Sequence, residues 1–139
     1  MIMKISKAIP LLLILFFSDA LEAAKPIENL IDVAVPQNDD GSYPSLNDVR
    51  RAIIAACKIK RWTPIQEGNN KIRASIWVRN KHYAEVIIPF YESKYSIIYE
   101  TSKNLDYNMK KQKIHRNYNK WVILLSRAIQ NEFNIELEE

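Results

Sequence analysis

Two stretches of strict alternation, separated by only two residues, constrain the fold more than anything else in this chain. From Lys71 to Arg79 the apolar residues Ile72, Ala74, Ile76 and Val78 hold one parity, and Arg73, Ser75 and Trp77 hold the other. From His82 to Tyr91 the pattern returns with Ala84, Val86, Ile88 and Phe90. A period of two sends alternate side chains to opposite faces of a strand. The Asn80-Lys81 connection suits a tight hairpin, so the two strands are expected to be antiparallel neighbours. The resulting sheet has one apolar face, and that face needs a cover.

Two amphipathic segments can supply it. Leu46, Val49, Ile53 and Ala56 recur at helical spacing, with Ala52 and Cys57 widening the stripe. Ser45 stands three residues ahead of Asp48 and reads as the N-cap of this helix. Thr63-Pro64 is expected to end it, because a residue before proline avoids helical angles. Tyr118, Trp121, Val122, Leu125, Ile129 and Phe133 form one face of a second helix, which offers Trp121, Leu125 and Ile129 to the core. Short strands are expected at Trp62–Gln66 and from Tyr95, whose inner face carries Tyr95, Ile97 and Tyr99. Gly68-Asn69-Asn70 and Glu92-Ser93-Lys94 read as turns. The predicted fold class is α+β in two layers. An antiparallel β-meander of three or four strands carries an N-terminal and a C-terminal helix on one face.

Residues 1–23 have the three parts of a secretory signal peptide: Lys4 and Lys7, the apolar run Ala8–Phe17, and Leu21-Glu22-Ala23 before the cut. The apolar run is about half the ~20 residues that a spanning helix needs, and no later segment is long and apolar enough to span. The expected product is exported, periplasmic or secreted. Residues 24–44 read as a leader with an edge strand within Ile27–Val35, stopped by Pro36. Residues 45–135 read as a single α+β domain and 136–139 as an acidic tail.

Composition removes several classes of function. The chain has only two glycines, Gly41 and Gly68, so neither a dinucleotide fingerprint nor a phosphate loop is present. HExxH, paired CxxC and GxSxG motifs are also missing. No cofactor is implied. The single cysteine, Cys57, cannot form an intrachain disulfide and reads as a small buried hydrophobe. A formal net charge of +4 is compatible with an anionic partner without indicating nucleic acid. The basic run Lys110–Lys120 reads as a solvated face rather than a nucleic-acid surface.

Several short patterns occur in a fixed order: Val49-x-x-Ala52-Ile53, Arg61-Trp62, Arg79-x-x-His82-x-Ala84, Tyr95-Ser96-Ile97-x-Tyr99-x-x-Ser102-x-Asn104-Leu105 and Ile114-His115-x-x-Tyr118-Asn119-x-Trp121-Val122. In these the chain resembles a family of small exported or lipid-anchored envelope proteins of Gram-negative bacteria. The resemblance covers about residues 30–130. It implies an envelope location and no enzyme activity. The family pattern would place Gly directly before the Trp, where this chain has Arg61.

The polar residues that could carry function are Arg79, His82, Tyr99, Ser102, Asn104, His115, Arg116 and Asn119. As a binding site, they would join the start of the second helix and its basic neighbours to an anionic group. As structure, Ser102 and Asn104 would bond the loop backbone and Asn117 would cap the helix. A catalytic reading joins Arg79, His82, Glu85 and His115 as a ribonuclease-like set. There a base takes a 2′-hydroxyl proton and an acid protonates the leaving oxygen. His82 and Glu85 are three apart on a strand and so face opposite sides. A metal site is not expected from two histidines without clustered cysteines or carboxylates. Exposed Trp77 and Tyr91 could stack on a sugar or base, or be covered by the leader. The leading expectation is a non-catalytic module that binds an envelope component or a protein partner. The alternative is a small secreted hydrolase of the phosphodiesterase type.

Overall fold

The computed structural model describes residues 24–138, so the expected signal peptide lies outside the described residues. Along the chain come β1 (Ala24–Pro26), β2 (Leu30–Ala34), α1 (Leu46–Ile59) and β3 (Thr63–Gln66). Then follow β4 (Lys71–Val78), β5 (His82–Pro89), β6 (Lys94–Lys103), β7 (Lys113–His115) and α2 (Asn117–Glu138). The protein is α+β with two antiparallel sheets. Five strands form the larger in the order β2-β6-β5-β4-β3, and β1 pairs with β7 in the smaller.

The meander β3–β6 follows the alternation, with Ile72 opposite Ile88, Ala74 opposite Val86 and Ile76 opposite Ala84. The expected three or four strands fall short of the five found, because β2 completes the sheet beyond β6. It sets Leu30 opposite Ile97 and Val33 opposite Tyr95. A bulge at Asp32, whose φ is 53°, breaks its register. The Ser96 hydroxyl accepts the Asp32 N–H there at 3.0 Å. Residues 24–44 thus give one strand to each sheet. α2 runs through residues 136–138, the stretch read as a tail.

The Ser45 hydroxyl accepts the Asp48 N–H at 3.1 Å and caps α1 as its sequence indicates. The helix ends before Thr63-Pro64, for a local reason. Arg61 takes a φ of 67°, which lets the Trp62 N–H reach back to the Cys57 carbonyl at 2.8 Å. This left-handed closure is the geometry that usually selects glycine.

Both helices contribute to one core with the inner sheet face. Val49, Ile53 and Cys57 of α1 and Tyr118, Val122, Leu125 and Ile129 of α2 pack with Ile72, Val86, Ile88 and Ile97. Trp121 departs from expectation: it is half-buried at the core's edge and lines a cleft. Cys57 is free and fully buried, and burial pushes its thiol up to about 12. Among the described residues, no helix is long and apolar enough to cross a membrane.

The other sheet face carries the opposite parity. Arg73 lies 2.9 Å from Glu67, 2.8 Å from Glu85 and 3.7 Å from Glu100. The hydrogen bond from Arg73 holds the Glu67 carboxyl below its ordinary range.

Candidate functional site

Four of the eight candidate polar residues, His82, Asn104, His115 and Asn119, bond the backbone through their side chains. Asn119, at the first turn of α2, is buried. Its side-chain amide donates to the Pro26 carbonyl at 3.0 Å, and its Oδ1 accepts the Glu28 N–H at 3.1 Å. It holds the connection between β1 and β2. Asn104 follows β6 in a left-handed conformation, φ 58°. Its amide donates to the Lys81 carbonyl at 2.8 Å, and its own carbonyl faces His82 Nδ1 at 2.8 Å. It pins the β4–β5 hairpin to the loop after β6.

The Tyr99 and Ser102 hydroxyls bond each other at 2.8 Å. The Tyr99 ring sits 4.7 Å from Tyr107 and 5.5 Å from Tyr118, centroid to centroid. Burial raises the Tyr99 hydroxyl above its ordinary range, and the Tyr118 hydroxyl likewise. Arg79 and Arg116 are exposed. Arg79 and Asn80 have φ of 56° and 53°, so the hairpin bends at Arg79-Asn80, one residue earlier than expected. Two successive left-handed residues match the twist of the strands they join.

His82 and His115 do come together. With Leu105, Asn117 and Trp121 they line a small cleft of about 70 Å³. His82 opens β5 and bonds the Asn104 carbonyl, and His115 closes β7 and donates its backbone N–H to the Leu105 carbonyl at 2.8 Å, so both are held to the loop between β6 and β7. Their Nδ1 atoms meet opposite partners. A carbonyl can only accept, so His82 Nδ1 carries a proton toward Asn104. A backbone N–H can only donate, so His115 Nδ1 is bare and accepts from Asn117 at 3.2 Å. In the neutral rings, Nε2 of His82 is a free base and Nε2 of His115 carries a proton. Glu85 is not part of this cleft. It is bonded to Arg73 and receives the Tyr83 hydroxyl at 3.0 Å on the far face of the sheet. Among the described residues, no three His, Cys, Asp or Glu side chains converge as a metal site.

A second constellation stands on the sheet face opposite the helices. Trp77 of β4 pairs across the strands with Tyr83 of β5, ring centroids 4.9 Å apart and planes tilted by 50°. Lys103 of β6, opposite Tyr83, holds its ammonium 5.8 Å from the Trp77 centroid and 5.4 Å from that of Tyr83. Trp77 is 53% exposed. The leader does not cover it, because β2 joins the sheet at β6 instead. Tyr91, also exposed, lies past the other end of the hairpin. The alternation marks Trp77 as outward, but nothing in the sequence pairs it with Tyr83 and Lys103. That grouping depends on the register of three strands.

No family model matches the chain, and no curated protein or solved structure matches it.

Proposed function

We propose that the protein is an exported, periplasmic or secreted, non-catalytic module. It binds a component of the bacterial envelope through the open face of its larger sheet. One observation carries this reading: a large aromatic ring, Trp77, is left in solvent beside Tyr83 and Lys103 on a face that no helix of the described residues covers. Exposing a tryptophan forgoes the gain of burying it, and aromatic rings with a polar neighbour are favoured contacts for ring-shaped ligands. The location is read from the signal-peptide pattern of residues 1–23 and from the sequence patterns that resemble small envelope proteins. Co-sedimentation of the full chain with a purified envelope fraction tests the reading. Trp77→Ala should lose co-sedimentation and melt like the parent protein. Undiminished co-sedimentation of that variant would remove the open face from the function.

A second reading has its own observation, the opposite tautomers of His82 and His115 on one cleft. In a phosphodiesterase, His82 Nε2 would take the 2′-hydroxyl proton and O2′ would attack phosphorus. The 5′ oxygen would leave with the Nε2 proton of His115. The cleft's small volume and the missing carboxylate favour the binding module. Incubating the full chain with a dinucleoside phosphate decides between them. A cyclic phosphate product that disappears with His82→Ala and with His115→Ala would establish the hydrolase, and no product from the parent protein would dismiss it.

A further inference from the structure

The open sheet face narrows what the ligand can be. We infer that Trp77, Tyr83 and Lys103 form a subsite for a pyranose ring bearing a single carboxylate, such as a uronic acid unit of an acidic glycan. The inference rests on the open-face reading given above and names its ligand class.

The geometry supports a sugar more than a nucleobase. The Trp77 and Tyr83 planes are tilted by 50°, so they form no parallel slot for a flat heterocycle. A puckered ring can instead lay its C–H groups, which carry partial positive charge, on the negative face of Trp77. Lys103 supplies the charge selection. Its ammonium stands over both rings, yet it makes none of the ion pairs found among the described residues. A lysine is a compact point charge that suits one carboxylate. With its ammonium 5.8 Å from the Trp77 centroid and 5.4 Å from that of Tyr83, Lys103 can reach a carboxylate carried by a ring stacked beside it.

The rest of the face limits the ligand's length and charge density. Further along the sheet, Arg73 is surrounded by Glu67, Glu85 and Glu100. Arg73 and Lys71, which also acts on Glu67, stand against three carboxylates and leave one negative charge in excess on this part of the face. A nucleic-acid strand, with a charge on every phosphate, would be repelled as it passed that surplus. A glycan with one carboxylate on the stacked unit can end at the Trp77 edge.

Titration of the full chain with an acidic trisaccharide of two galactose units and one terminal galacturonic acid, a galactose trisaccharide and poly(U), followed by calorimetry, tests the inference. The acidic trisaccharide should bind about fivefold or more tightly than the neutral one. Trp77→Ala should weaken it about tenfold, whereas Trp77→Phe keeps a ring and most of the affinity. Lys103→Gln should abolish the preference for the acidic sugar together with its salt dependence. Equal binding of both sugars, unaffected by Lys103→Gln, would overturn carboxylate recognition. Tighter binding of poly(U) than of the acidic sugar would overturn the ligand class. If neither sugar binds while Trp77→Ala still loses the envelope fraction, the ligand class is wrong and the open-face reading stands. If the envelope fraction is indifferent to Trp77 as well, both fail.

Discussion

Asn119 accepts the backbone N–H of Glu28 through its Oδ1 at 3.1 Å, across 91 residues of sequence. The same amide donates to Pro26, so one side chain at the start of α2 ties down both sides of the β1–β2 connection. Both bonds are partly shielded from water. Asn119→Ala should therefore destabilise the protein by about 1–3 kcal/mol. Hydrogen exchange would show the loss concentrated in residues 24–30. An even loss across the sheet would mean that the clamp acts elsewhere.

Arg61 holds a left-handed conformation that glycine adopts without steric cost. Relief of that cost exceeds the extra entropy glycine gives the unfolded chain. Arg61→Gly should stabilise the protein by about 0.5–1 kcal/mol, read as a higher denaturation midpoint. A lower midpoint would show that the Arg61 side chain contributes more than its backbone costs.

The register of β4 and β5 sets the severity of substitutions on the two sheet faces. Ile88 is fully buried and Ile76 nearly so. Replacing either with Asp puts a charge without a partner into the core, and the chain should not fold. Trp77→Ala, on the other face of β4, should cost less than about 1 kcal/mol. Circular dichroism melts of the three variants check the ordering, and a folded Ile88→Asp protein would contradict the register.

Alkaline pH should destabilise the fold in a defined window. Burial raises the Cys57 thiol from 9.0 to about 12 in the folded protein. Burial also raises the Tyr95 and Tyr118 hydroxyls above 10.0. The folded state therefore keeps protons that the unfolded chain releases first. Stability is full below pH 9 and falls as pH rises toward 12. Cys57→Ala should make this decline shallower by up to about 1.4 kcal/mol per pH unit just above the ordinary thiol range. Denaturant titrations at stepped pH give the slope. An unchanged slope would show that Cys57 does not carry the decline.

The sequence by itself determined the parts whose signal is periodic. Alternation from Ile72 to Phe90 identified the hairpin and its buried face, and the stripe from Tyr118 to Phe133 identified the buried face of α2. The Ser45 cap was legible because a hydroxyl three residues from its N–H partner is a local interaction. Tertiary structure decided everything that needed two distant segments. Three-residue strands such as β1 and β7 are too short to show a period, and each forms only because the other is present. The bulge at Asp32 hides the parity of β2, so a leader with an edge strand proved to complete a five-stranded sheet. The helix stop was assigned to Thr63-Pro64 because proline marks a boundary in sequence, whereas the left-handed turn at Arg61 had only an indirect sign, the glycine of the resembled pattern at that position.

The candidate site divides along the same line. Asparagine, serine and histidine near a helix start are legible as polar and close in sequence. Whether they hold the backbone or face a ligand depends on which carbonyls and N–H groups arrive from elsewhere. Pro26, Glu28 and Lys81 supply those groups to Asn119 and Asn104, and they come from distant parts of the chain. Trp77, Tyr83 and Lys103 lie on three strands whose pairing alone makes them neighbours. Local periodicity follows from the geometry of one segment, whereas a site made by strand register exists only once the sheet has closed.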